Sequence, residues 1–419
     1  MADLAQGEIL DFGERAQKQL ERLQATLNRA YRWVPFYQNR FSAGGIDPAD
    51  IQSLDDLDRI PFTGRQHLVE NYPYGLFAVP LRDIVRIHTA PGIGINPSVS
   101  GYTATDLQAW QRIVARALTA AGMDAEDILQ VHLDPGLANW GRDYKQGAEE
   151  LQASVIPLTA LPADKQVMIL TDYKTSVLLT SVSLAGQIAT HLYRTGRNPN
   201  ELALRTLILV GEPVSVDKRR ELEEQLRVTT WMHYGLSEVP GPAVAFECHR
   251  HDGLHVSEDY FYPEIVDPET GKRSLPGDAG ELVLTTLTTR AFPLIRFRTG
   301  DRVRLIGDSC PCGRTLRRIE WLDGRTDDTL IVRGVKVHTR QVLAYVEKAL
   351  GYVPAGFELA PAAEGRTEAL EVSLGMDNTM FSDEIKRLEN VINTVRGALY
   401  QELGLPVRVH LKERQSFME

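Results

Sequence analysis

Between residues 12 and 33, Leu20, Leu23, Leu27 and Tyr31 recur at three- and four-residue spacing, which predicts an amphipathic helix stopped by Pro35 of VPFY. The stretch IQSLDDLDRIPFTGRQHLVENYP then alternates short helical pieces with proline stops, and a full helical period returns from Thr105 to Ala121. DILQVHL and ASVIPLT read as buried strands, followed by the strand SVLLTS, the helix SLAGQIATHLYRTGR and the strand LRTLILVGE. This α/β alternation predicts a parallel sheet. Open parallel sheets take ligands beyond the carboxyl ends of their strands, which makes Gly211 and Glu212 candidate binding residues.

Past Arg250 the pattern changes. DYFYPEIVDPETGKRSLPGDAGELVLTTL holds two strand candidates around a turn-rich segment, so an antiparallel, β-rich subdomain is expected at about 240–323. LDGRTDDTLIVRGVKVHTRQV leads through a strand pair into a helix near Arg340 to Leu350, and EALEVSLGM precedes a last helix. The expected fold class is α/β: a large N-terminal body over 1–326 that includes the β-rich subdomain, and a small α+β lid over 327–419, hinged near Asp327.

The chain has 419 residues, 43% of them hydrophobic, enough to bury a sizeable core. A formal net charge of -10 gives no general electrostatic reason to bind nucleic acid or an anionic membrane surface. The acidic start MADLAQGEILDFGERAQKQL lacks a signal-peptide pattern, and no segment has the length and apolarity of a membrane span. Three cysteines, Cys248, Cys310 and Cys312, are too few for a disulfide framework, so a reducing, cytoplasmic setting is expected.

Two stretches carry candidate chemistry. HTAPGIGINPSVSGYT, residues 88–103, has the glycine and proline content of a loop that wraps phosphates, yet nothing between Ala90 and Pro97 is Ser, Thr or Lys. ECHRHDGLH supplies Cys248, His249, His251 and His255, and CPCG supplies two thiols one residue apart on a turn made by Pro311 and Gly313. Such a pair can share a tetrahedral Zn2+ with ligands from a distant strand or loop.

Several ordered blocks resemble the phenylacetate-CoA ligase branch of the adenylate-forming enzymes: HYGLSEV at 233–239, PLIRFRTGD at 293–301 and GRTDDTLIVRGVKV at 324–337, with VPFYQNRF, PFTGRQHL, NYPYGLFAVP and GYTATDL before them. The resemblance runs from about Tyr31 to Val346. It implies ATP-dependent activation of an aromatic or heteroaromatic carboxylic acid to an acyl-adenylate, followed by transfer to coenzyme A or another acceptor. It also implies a homodimer. In the family's pattern Glu212 resembles part of the adenine-side wall. Tyr234 and Gly235 resemble residues flanking the adenine and the aryl substrate, Ser237 a phosphate-side donor and Glu238 the Mg2+ ligand. Asp301 resembles the acceptor of both ribose hydroxyls, Arg325 the basic residue before the hinge and Asp327 the hinge itself. Lys336 is a candidate contact to phosphate or CoA. The match favours Cys248, His255, Cys310 and Cys312 as ligands of a structural zinc, with His249 as the alternate fourth.

Three departures mark the chain. Relatives carry a Ser/Thr/Gly-rich loop with a lysine where this chain has TAPGIGINP. Thr89, Gly92, Gly94 and Asn96 remain as donors, Ile93 and Ile95 bring aliphatic groups, and Asn96 stands at the lysine position. Relatives finish with a Gly-Lys stretch, whereas this chain reads VRVHLKERQSFME, and Lys412 does not take that role. In VHLDPGLANWGRDY, near the acyl pocket, Trp140 is a candidate aromatic wall and Arg142 a candidate partner for an acidic substrate. The alternative expectation is a non-adenylating relative that binds a nucleotide, acid or CoA-like ligand in a biosynthetic pathway.

Overall fold

Helix α1 (Phe12–Trp33) begins where the Asp11 carboxylate accepts the Glu14 amide at 2.9 Å, an N-cap that satisfies a donor with no intrahelical partner. Its Leu23, Leu27 and Ala30 are buried. Helix α2 (Pro35–Ala43) carries its proline in the first turn, where the missing N–H costs nothing. Helix α3 (Arg65–Glu70) is short, and its first residue, Arg65, is buried. The computed structural model describes residues 5–90, 97–157, 161–239, 241–275, 277–307, 310–364, 367–376 and 385–413.

Strands β1 (Arg86–Ala90) and β2 (Ser98–Tyr102) pair antiparallel, from Arg86↔Tyr102 to Ala90↔Ser98. Sequence pattern predicts a loop here because the alternation is inverted: Ile87 is exposed while His88 and Ala90 face inward. Gly92, Ile93, Gly94, Ile95 and Asn96 lie outside the described residues. Helix α4 (Ala104–Ala120) opens on a capping box in which Thr103 and Asp106 each accept the other's amide.

The expected α/β rhythm follows as β3 (Ile128–His132), α5 (Ala138–Glu150), β4 (Ser154–Ile156), α6 (Ala163–Asp172), β5 (Val177–Thr180), α7 (Val182–Thr195), β6 (Thr206–Val210), α8 (Val216–Leu226) and β7 (Thr229–Tyr234). These strands are parallel in the order β4-β3-β5-β6-β7. Next come β8 (Ala245–Phe246), β9 (Leu254–Val256), β10 (Phe261–Val266), β11 (Ala279–Thr286), β12 (Phe297–Gly307) and β13 (Arg318–Arg325). The β-rich stretch is antiparallel, as its pattern predicts, but β8 pairs directly with β7. One eleven-stranded sheet therefore runs through both halves.

The smaller C-terminal α+β region holds the hairpin of β14 (Thr329–Val332) and β15 (Val335–His338), then α9 (Thr339–Leu350), β16 (Phe357–Glu364), β17 (Thr367–Met376), α10 (Ile385–Leu403) and β18 (Val407–Glu413). The hairpin turns through Arg333 and Gly334, both at positive φ (53° and 82°), as a two-residue turn matched to strand twist requires. Val332, Val335 and Val337 pack in one apolar cluster with Leu137, Trp140 and Val210 of the large body, so the hairpin is docked on that body. Among the described residues no helix is long and apolar enough to cross a membrane.

Candidate active site

The carboxyl ends of β6 and β7 open into a cleft, and each side of it comes from a different element. Arg65 of α3, Ala90 at the end of β1 and Trp140 of α5 line one side. Gly211 lies just past β6, Ser237 and Glu238 just past β7, and Gly334, Val335 and Lys336 of the β14–β15 hairpin cover the top. Beneath the hairpin the cleft retains about 30 Å³ of free space. The contact is close because two glycines meet: a Cβ on Gly211 would stand 2.6 Å from the Gly334 Cα. Gly235 is needed for a similar reason, since a Cβ there would lie 2.8 Å from the Gly241 carbonyl oxygen.

Asp301 is fully buried at the centre of a charge network. It accepts the Tyr234 hydroxyl at 2.8 Å and the Lys336 ammonium at 2.7 Å, and it pairs with the Arg325 guanidinium. Burial alone would push this carboxyl up, but Lys336 and Arg325 outweigh it and hold Asp301 below the usual carboxylate range. Arg325 also donates to the Thr299 carbonyl at 2.9 Å and through Nε to Asp327 at 2.8 Å. Tyr234 stands edge-on to Trp321, with ring centroids 4.9 Å apart.

Glu238 is 4% exposed and pairs with Arg65 at 2.7 Å through Oε1. Burial opposes its charge, while Arg65 and Lys336 favour it, and Glu238 ends below its ordinary value. Its Oε2 is buried without a hydrogen-bond partner. A hard, ionised oxygen with spare acceptor capacity at a cleft is the donor type that Mg2+ takes.

The structure brings Tyr234, Gly235, Ser237, Glu238, Asp301, Arg325, Asp327 and Lys336 together, with Glu212 half-buried next to Gly211. Trp140 lines the cleft, whereas Arg142, although only two residues on, is exposed and is not among the cleft residues. Lys412 lies on β18, where it donates to Glu358 at 2.8 Å, away from the cleft. Sequence reasoning missed Arg65. Arg65 sits in the block PFTGRQHL, and the one signal for it is an arginine at the first turn of a helix, where an exposed cation would be electrostatically disfavoured.

A second convergence lies in the antiparallel half. One donor atom each from Cys248, His255, Cys310 and Cys312 falls within 4.8 Å of all the others. The Cys248 and Cys310 sulfurs are 3.7 Å apart, and the Cys312 sulfur is 3.5 Å from His255 Nε2. Zn–S and Zn–N bonds of about 2.3 and 2.0 Å at tetrahedral angles give donor separations of about 3.8 and 3.5 Å. His255 Nδ1 faces the Leu316 carbonyl at 3.4 Å, which leaves Nε2 to the cluster. His249 is exposed and is not a member of the cluster, so the alternate ligand falls away.

An open sheet whose strand ends meet a small α+β region that inserts a lysine of its own is the two-part architecture of the adenylate-forming, acid-activating ligases. The chain is 38% identical over 398 residues to the phenylacetate-coenzyme A ligase of Pseudomonas putida, covering 94% of this chain and 90% of that one. It is 37% identical over 403 residues to the phenylacetate-coenzyme A ligase of Thermus thermophilus, covering 94% and 90%. It therefore belongs to the phenylacetate-CoA ligase branch of the adenylate-forming superfamily. No family model matches the chain. Among solved structures, 2-hydroxyisobutyryl-CoA ligase in its thioesterification state superposes with a TM-score of 0.90 at 24% identity, covering 98% of this chain and 88% of that one. The same enzyme in an open conformation gives 0.71.

Proposed function

We propose that this ligase activates an aromatic or heteroaromatic carboxylic acid with ATP and passes the acyl group to coenzyme A. In the first step the acid's carboxylate attacks the ATP α-phosphorus and pyrophosphate leaves. In the second a thiol attacks the acyl carbonyl, and AMP leaves with the former acid oxygen. The observation that carries the reading is the buried Asp301, which gathers Tyr234, Lys336 and Arg325 from the body and the lid hairpin around one acceptor. An acceptor-only head of this kind suits the two ribose hydroxyls.

On this reading Tyr234, Gly235 and Glu212 flank the adenine, Ser237 donates to phosphate and Trp140 walls the acyl side. Glu238 holds Mg2+, and the ion, when bound, neutralises charge on the phosphates. Lys336 and Arg65 bring cationic charge to the cleft, and the sequence has Asn96 at the family's lysine position. Asp327 is the hinge between a body of 1–326 and a lid of 327–419, and lid rotation exchanges the two half-reactions. Cys248, His255, Cys310 and Cys312 hold a structural Zn2+ remote from the chemistry, a reading that the donor separations support. A homodimer in the cytoplasm completes the reading.

ATP/pyrophosphate exchange with a panel of aryl, arylacetic and heteroaryl acids tests it. Exchange dependent on one or more acids, followed by thioester formation when CoA is added, is expected. No exchange with any acid, from folded and zinc-replete protein, would overturn it in favour of a non-adenylating binding role.

A further inference from the structure

Arg65 is a cleft residue with partners on both sides of the lid boundary. It belongs to the body and pairs there with Glu238 at 2.7 Å. The same guanidinium reaches the lid hairpin, where it contacts His338 Nε2 and lies 3.5 Å from the Thr329 hydroxyl. All of these groups are buried: Arg65 is 8% exposed, His338 and Thr329 each 4%. Its Nε has no hydrogen-bond partner. Five donors in a flat fork match phosphate oxygens well, and a buried guanidinium that loses its anion is strongly destabilised until other acceptors reach it.

We propose that Arg65 couples the departure of pyrophosphate to closure of the lid in the thiol-transfer arrangement. This rests on the adenylation reading above. While polyphosphate occupies the cleft, the guanidinium serves its oxygens. When pyrophosphate leaves, Arg65 turns to Glu238 and needs further acceptors, which His338 and Thr329 supply only when the hairpin is down. Closure is thereby favoured in the state that has lost its leaving group, because a ligand shifts an equilibrium by its differential interaction with the two states. His338 accepts through Nε2 only when neutral, and burial, followed by the Arg65 charge, lowers its pKa. The hairpin is docked here, and the overall shape agrees with a thioesterification state at a TM-score of 0.90, against 0.73 for a postadenylation state of the same enzyme.

The test separates the two half-reactions. His338→Ala is expected to slow acyl transfer from preformed acyl-adenylate to CoA by about tenfold, the size of a typical coupling, and to leave ATP/pyrophosphate exchange within about twofold. His338→Gln, which keeps an acceptor, is expected to restore much of the transfer rate. A second readout needs no turnover: hydrogen exchange of the β14–β15 amides is expected to quicken when magnesium pyrophosphate is added to the unmodified chain. In Arg65→Met and His338→Ala these amides exchange fast from the start and pyrophosphate changes nothing. Equal loss in both half-reactions, no loss in either, or hairpin exchange indifferent to pyrophosphate in the unmodified chain overturns the coupling. If no acid supports ATP/pyrophosphate exchange, the adenylation reading fails, and the hydrogen-exchange result still decides whether Arg65 senses pyrophosphate.

Discussion

The cleft and the cysteine cluster both gather polar side chains in a buried place, on opposite plans. Of Cys248, His255, Cys310 and Cys312 only His255 lies on a strand, β9, while the cysteines sit in the turn after β8 and in the stretch before β13, two connections of the same antiparallel half. At the cleft, by contrast, Asp301 of the body pairs with Lys336 of the β14–β15 hairpin and Arg65 contacts His338 there, so one ion pair and one hydrogen bond depend on the docked hairpin. Donors held by neighbouring connections of one sheet suit a permanent guest. Charges contributed by both the body and the C-terminal region can, on the proposed function, exchange one another for the phosphates of a substrate.

Asp301→Asn should break that contrast hardest. It leaves Lys336 and Arg325 without their common counter-ion, and adenylation in the exchange assay is expected to fall about 100-fold or more, the cost of losing a preorganised charge. Cys310→Ser, or chelation, is the counterpart at the fixed site. The melting temperature is expected to drop by about 5 °C or more while adenylation per folded molecule stays close to normal. If activity and melting fall together in both variants, the two sites are not independent. Gly334→Ala is a finer probe, because Gly334 has φ +82° and its Cβ would lie 3.0 Å from Leu137. It is expected to slow acyl transfer about tenfold and ATP/pyrophosphate exchange much less, since only the docked hairpin is disturbed.

The smallest effect is on stability against pH. Burial lowers His88 to about 4 and His233 to about 3, from an ordinary 6.5. The unfolded chain therefore takes up protons below pH 6.5 that the folded chain refuses, and stability is lost as pH falls from 6.5 towards those values. Burial pushes Asp143 the other way, up to about 8 from 3.8, and the nearby Arg86 only partly offsets it. The folded chain keeps a proton that the unfolded one releases, so stability is lost as pH rises through that window. Thermal melts should peak near pH 6.5, and Asp143→Asn should flatten the alkaline side. A peak that stays put with an unchanged alkaline decline would show that Asp143 is already ionised beside Arg86.

Much of this was legible in the residues. The period of Leu23 and Leu27 gives α1, the all-apolar runs give β5 and β6, and the ordered blocks give Tyr234, Glu238, Asp301 and the cysteine set. What escaped was set by tertiary contact. His88 points inward where Ile87 does not, so the period-two signal of β1 was hidden. Arg65 earns its place from partners 173 and 273 residues away, with no local pattern to announce them. Arg142 shows the reverse limit: adjacency in sequence to Trp140 put it on a different side of α5.

The continuity of the eleven-stranded sheet has a mechanical consequence. Tyr234 sits opposite Ala245, Ala245 opposite Val256, and His255 opposite Arg318, so a short run of rungs joins the cleft end of β7 to the thiol cluster. Strands β8 and β9 are only two and three residues long, the weakest planks in that walkway. Pulled or heated, the molecule should part there first, and the thiol cluster sits where a rivet would go.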